Sequence, residues 1–196
     1  MADYAWPDAL PPQTMVWSIQ KAGVQFRSPY AGSVESITFP GWFWRVSITL
    51  KPRRSKGATA GQARAFFDGL AGGDHAVLLY DWLRPVPRGT LRLTPDVWVA
   101  MVRGDQTIAI QTQQTLLAGD LFKIGNTVYE CFADCAPVAG VLTVPVTGRV
   151  RAPAVIGTPV LWDRPTIRCI MPAMSNASAF RPGVFEGTAI DLEEAA

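Results

Sequence analysis

Residues 26–51 read FRSPYAGSVESITFPGWFWRVSITLK. Trp42, Trp44, Val46, Ile48 and Leu50 fall on one parity, and Arg45, Ser47, Thr49 and Lys51 on the other. Side chains that alternate in this way belong to a strand with one buried face. Each of the five apolar side chains stabilises by about 1.5–3 kcal/mol once buried, enough to begin a core. Pro40-Gly41 suits the centre of a type II turn. Ile37 and Phe39, alternating with Ser36 and Thr38, predict a strand entering that turn. Val24 and Phe26 predict another, ended by a turn over Ser28–Gly32. The expectation is an antiparallel meander.

Working outward, residues 1–16 (MADYAWPDALPPQTMV) carry Pro7, Pro11 and Pro12 and no periodicity. This predicts an extended N-terminal arm with Tyr4, Trp6 and Leu10 as apolar anchors, packed on its own domain or on a neighbour. Residues 52–57 read as a loop whose Arg53, Arg54 and Lys56 form a basic cluster. Ala58–Ala71 is the one predicted helix, because Ala60, Ala63, Phe66, Phe67 and Leu70 recur at three- and four-residue steps. Thr59 and Gln62 have capping-box spacing, and Gly72-Gly73 ends the helix. Ala76–Tyr80 predicts a return strand.

Prolines at 85, 87 and 95 interrupt the pattern, which then changes to short strands. Val97, Val99 and Met101 alternate, Thr107–Gln113 returns, and Gly125-Asn126 marks a hairpin before Thr127–Phe132. Val141–Val146 follows. These predict a small OB-like or SH3-like β-barrel over residues 95–157, inserted into a discontinuous domain of residues 17–94 and 158–196. The last part contributes a strand at Thr166–Met171, a turn at Pro182-Gly183 and alternation of Thr188, Ile190 and Leu192. The predicted fold is therefore mainly β: an antiparallel β-sandwich with one α-helix, plus the inserted barrel.

Of 196 residues, 48% are hydrophobic and only 17% charged, with 16 Pro, 17 Gly and 7 Trp. That composition suits a turn-rich β protein with part of its surface covered by partners. A net charge of +2 gives no argument for nucleic acid. Residues 1–12 lack the basic start and apolar run of a secretory leader, and no apolar run reaches the ~20 residues of a membrane span. Cys131, Cys135 and Cys169 fit free thiols made in a reducing compartment.

Catalytic chemistry finds little footing. His75 is the only histidine, and no G-x-S-x-G accompanies it. Cys131 and Cys135 lack the second ligand pair that zinc would need. Asp81, Glu130, Asp163 and Glu186 sit near strand ends, where a pair of carboxylates could meet as in glycosidases. Asn176-Ala177-Ser178 matches a glycosylation sequon. The expectation is no catalytic, cofactor-binding or metal-binding residue. Trp42 and Trp44 read as core, whereas Trp82 and Trp162, in loops beside charges, join Tyr4, Trp6 and Leu10 as candidate subunit contacts.

The run F-R-S-P-x-x-G-x-V-E (Phe26–Glu35) followed by P-G-x-x-W-R-x-S-I-T-L (Pro40–Leu50) resembles tail proteins of tailed bacteriophages. So do A-R-A-F-F-D-G-L (Ala63–Leu70), P-R-G (Pro87–Gly89) and L-L-A-G-D-x-x-x-I-G (Leu116–Gly125). The whole is similar to a small distal tail protein, the ring component between tail tube and tip. The resemblance implies a virion protein made in the host cytoplasm and assembled as a hexameric ring of its own copies. Its other implied partners are the tail tube protein and the tip or hub proteins, with no nucleic-acid contact required and no membrane span. The competing expectation is a carbohydrate-binding or cell-wall-hydrolysing tail component.

Overall fold

The computed structural model describes residues 2–195 apart from 8, 29, 31, 52, 55–57, 173–179, 182, 183 and 186–188. In chain order come β1 (Asp3–Ala5), β2 (Pro12–Arg27), β3 (Val34–Leu50) and β4 (Arg53–Arg54), then α1 (Ala58–Leu70) with a 3-10 turn at Ala71–Gly73. Next are β5 (Ala76–Leu79), β6 (Asp96–Val97), β7 (Thr107–Gln111), β8 (Leu121–Ile124), β9 (Thr127–Glu130) and β10 (Val141–Pro145). β11 (Val160–Leu161), β12 (Ile167–Ile170), β13 (Phe180–Arg181), β14 (Val184–Phe185) and β15 (Ala189–Glu194) complete the series. The fold is mainly β, as its alternating patterns require.

The chain divides into two compact units, Met1–Ser18, Trp44–Trp82 and Thr166–Ala196 in one, Ile19–Phe43 and Leu83–Pro165 in the other. This division differs from the expected one: residues 19–43, 83–94 and 158–165 group with 95–157. β2 and β3 run from the first unit into the second.

In the first unit the main sheet has the order β1-β5-β12-β15-β3-β2. Along β3 in this unit Trp44, Val46, Ile48 and Leu50 are buried, as is Trp42 in the part of β3 that belongs to the second unit, and the residues between them are not. β15 pairs antiparallel with β3, setting Ile190 opposite Ile48 and Leu192 opposite Val46. The helix buries Ala63, Phe67 and Leu70, and positive φ at Gly72 and Gly73 lets the chain leave it. The helix as described starts at Ala58, one residue before the expected Thr59 cap. A small sheet, β13-β14-β4, completes this unit; Arg53 and Arg54 belong to it, not to a loop.

Two expectations are corrected. No turn forms at Pro40-Gly41, because β3 continues through them from Val34 to Leu50. β15 pairs with Arg45–Thr49 of β3, whose other neighbour in the sheet is β2. The reversal lies where Ser28 N–H donates to Ser33 O at 2.9 Å and Gly32 takes φ +63°. Secondly, the main sheet is not wholly antiparallel: β1 pairs in parallel with β5, Tyr4 opposite Val77. The N-terminal segment is thus a sheet edge of its own unit.

The second unit contains two three-stranded sheets, β10-β7-β6 and β11-β8-β9. Buried residues face each other across the first, Leu142 with Ile110 and Val144 with Ile108. β8 and β9 join through Gly125-Asn126, with Gly125 at φ +58°. Single bridges, Asp96 with Pro159 and Cys131 with Val146, link segments flanking the two sheets. Among the described residues no continuous ladder closes them into the expected barrel. Val99, expected on a strand, lies beyond the short β6 and is exposed. Pro182-Gly183, Thr188, Glu186 and Asn176-Ala177-Ser178 fall outside the described residues.

Candidate functional site

In the first unit the N-terminal segment builds an aromatic cluster. Trp6 is buried and its indole N–H donates to Leu10 O at 2.7 Å, which ties Trp6 and the buried Leu10 into one loop. Its ring meets Phe66 and Trp82 edge-on, with centroids 5.7 and 5.9 Å apart. Trp82 also meets Tyr80 at 5.8 Å. Tyr4 is half exposed and packs edge-on against His75 at 5.2 Å. Of the expected subunit contacts, the structure therefore brings Tyr4, Trp6, Leu10 and Trp82 together on one unit and buries the middle two. Trp162, in the second unit, donates its indole N–H to Leu93 O and lies under the Arg92 guanidinium, 5.1 Å from its ring centroid.

The motif residues Pro87–Gly89 and Leu116–Asp120 meet in the second unit. The buried Asp120 carboxylate accepts from Arg88 N–H at 2.8 Å, Gly89 N–H at 2.9 Å and Leu117 N–H at 2.8 Å. A Cβ on Gly89 would lie 2.3 Å from Thr115 O, so only glycine allows this approach. Thr90 Oγ1 accepts from Thr115 N–H at 2.9 Å. Arg84 bridges Gly119 O at 2.9 Å and Glu130 at 2.8 Å. Sequence reading marked both motifs but had no signal that one carboxylate joins them. The arrangement satisfies buried backbone donors, as a structural clamp does.

A cavity of about 470 Å³ opens in the same unit, lined among others by Trp42, Phe132, Lys21, Gln106, Thr107 and Arg149. Trp42 donates its indole N–H to Arg149 O at 2.6 Å, and the Arg151 guanidinium lies 4.1 Å from its ring centroid. Tyr129 meets the same ring edge-on at 6.2 Å. Trp42 is thus held as a wall, with one face under a cation. Phe132 stands out beside it, 69% exposed. From sequence Trp42 reads as core in preference to a sugar-binding face, and Phe132 carries no signal.

The hairpin of β2 and β3 exposes Val24, Phe26, Tyr30, Val34 and Ile37; Tyr30 is 99% exposed. Exposed large apolar side chains on one ribbon suit a surface that a partner covers.

Among the described residues, the buried His75 Nδ1 has no hydrogen-bond partner. Glu130 is taken up by Arg84, whereas Asp81 lies in the first unit and Asp163 in the second. Among the described residues no three or more His, Cys, Asp or Glu group as metal ligands. No described helix is long and apolar enough to cross a membrane. No protein-family model matches the chain, and a search of curated proteins returns no match.

Proposed function

We propose that the protein is a structural component of a bacteriophage tail, a ring subunit joining the tail tube to the tip. The observation that carries the reading is the exposed apolar hairpin, Val24 to Ile37. A subunit that shows such a ribbon to water gains by covering it, at roughly 25 cal/mol per Å² of apolar surface removed. A ring does so by seating one patch of each copy on a different patch of the next, with a rotation that closes; six copies is the number the tail-protein resemblance suggests. The composition, with few charges for its size, supports the same reading. The motif residues lend support as well, because those at Pro87–Gly89 and Leu116–Asp120 build a clamp that shapes the unit. The competing reading, a carbohydrate-binding or cell-wall-hydrolysing component, draws on the cavity, but one face of Trp42 is already covered by Arg151.

Light scattering and negative-stain microscopy of the purified protein test the proposal. The wild type should form closed rings, and a variant with Phe26, Tyr30 and Ile37 changed to serine should stay folded but monomeric. A wild type that is strictly monomeric at high concentration and absent from virions by mass spectrometry would overturn it. Removing residues 2–10 is a different perturbation: with Trp6 and Leu10 buried in their own unit, it should lower stability first.

A further inference from the structure

Cys131 and Cys135 are free thiols whose Sγ atoms lie 3.7 Å apart. Their backbones are anchored to one and the same segment. Cys131 N–H donates to Asp120 O at 2.9 Å and its carbonyl accepts from Gly119 N–H at 2.7 Å. Cys135 N–H donates to Leu116 O at 2.9 Å and its carbonyl accepts from Leu116 N–H at 3.3 Å. Asp134 between them accepts from Ala118 N–H at 2.7 Å. The loop 132–134 is therefore held at both ends over residues 116–120, with the two Sγ atoms in contact across it. A disulfide needs the sulfurs about 2.05 Å apart, a small approach for side chains already in contact.

We propose that Cys131 and Cys135 are an oxidisable dithiol that closes to an intramolecular disulfide when it meets a small-molecule disulfide such as oxidised glutathione. Their roles differ. Cys135 is half-buried and open to a reagent, whereas Cys131 is buried. The contact between the thiols lowers Cys135 below the ordinary thiol value and, together with burial, pushes Cys131 above it. Cys135 is then the attacking thiolate. It loses its proton to solvent and attacks one sulfur of oxidised glutathione; the glutathione S–S bond breaks and one glutathione leaves, taking up a proton. Cys131 Sγ gives up its proton, attacks Cys135 Sγ in the mixed disulfide and expels the second glutathione. Two protein thiols are oxidised and one glutathione disulfide is reduced to two thiols. The bond fixes the loop bearing Phe132 at the edge of the cavity. The inference stands on the thiol geometry and is independent of the tail assignment.

The test is intact-mass spectrometry of the folded protein after equilibration in glutathione buffers from fully reduced to fully oxidised, with acid quench, unfolding and alkylation. Two alkylation sites should disappear together, with loss of two hydrogen atoms and no added glutathione. Both should map to the tryptic peptide of residues 124–149, while Cys169, fully buried, stays alkylatable after unfolding. Cys131→Ser should trap a single glutathione on Cys135, and Cys135→Ser should leave Cys131 unmodified in the folded protein. Three alkylatable thiols in the most oxidising buffer would overturn the proposal. So would a wild type that ends with glutathione on Cys135, or one whose disulfide links two chains on a non-reducing gel. The wild-type measurement decides the matter even if a variant folds poorly.

Discussion

Replacing Asp120 with alanine should destabilise the second unit by about 3–5 kcal/mol. The figure is assembled from the donors that the carboxylate now satisfies. Gly89 N–H is buried and would be left without an acceptor, at about 2–3 kcal/mol. Arg88 N–H and Leu117 N–H are part-buried, so water reaches them and each costs about 1 kcal/mol. The Arg88 guanidinium, 3.7 Å away and mostly exposed, adds little. Removing a buried carboxylate also recovers part of its desolvation, which keeps the total from rising further. Asp120→Asn, of the same shape but with one acceptor oxygen, should lose about half as much. Urea titration monitored by hydrogen exchange at residues 116–120 reads this unit directly. An alanine variant within about 1 kcal/mol of wild type would refute the clamp, since it would mean that the three donors find other partners at no cost.

Two further substitutions probe the packing. Trp44→Ala removes a side chain only 2% exposed that packs edge-on against Trp17 at 5.5 Å; it should cost about 3–5 kcal/mol in urea unfolding, and a near-neutral result would mean the site collapses around the cavity. Gly148→Ala places a Cβ 2.9 Å from the Trp42 indole nitrogen at φ +101°, so strain and overpacking together should cost about 2–4 kcal/mol. Gly157→Ala, at φ +81° with open space around it, should cost only the backbone part; equal losses at the two glycines would remove the close approach to Trp42 from the argument.

What could be read in advance depended on range along the chain. The alternation from Trp42 to Leu50 is local and one-faced, and burial follows it residue by residue. Pro40-Gly41 carries an equally local turn signal, but β3 runs through it from Val34 to Leu50 with β2 as a neighbour, and strand pairing is a property of the sheet, not of the dipeptide. β1 is too short to show a period, and its parallel partner lies past the helix. Trp6 and Leu10 look the same in sequence whether they bury against their own chain or another, and the deciding partners, Phe66 and Trp82, are far along the chain. Cys131 and Cys135 were visible as a spacing of four. Their contact needs the backbone of residues 116–120 to hold both, which no spacing reveals.

The sheet order β1-β5-β12-β15-β3-β2 has a consequence for how the protein comes into being. β15 lies between β3 and β12, so in this sheet β2 and β3 are joined to β1, β5 and β12 through it. Ser47 and Asp191, which hydrogen-bond across the β3–β15 ladder, are 144 residues apart. During synthesis, β3 emerges with its row of Trp44, Val46, Ile48 and Leu50 long before the strand that pairs beside it exists. Ordering such distant contacts carries a large loop-closure cost, which slows folding, and a waiting apolar strand is open to wrong partners. Completion of this sheet is therefore a late event in the life of the nascent chain, and its β3 edge is where a chaperone has most to protect.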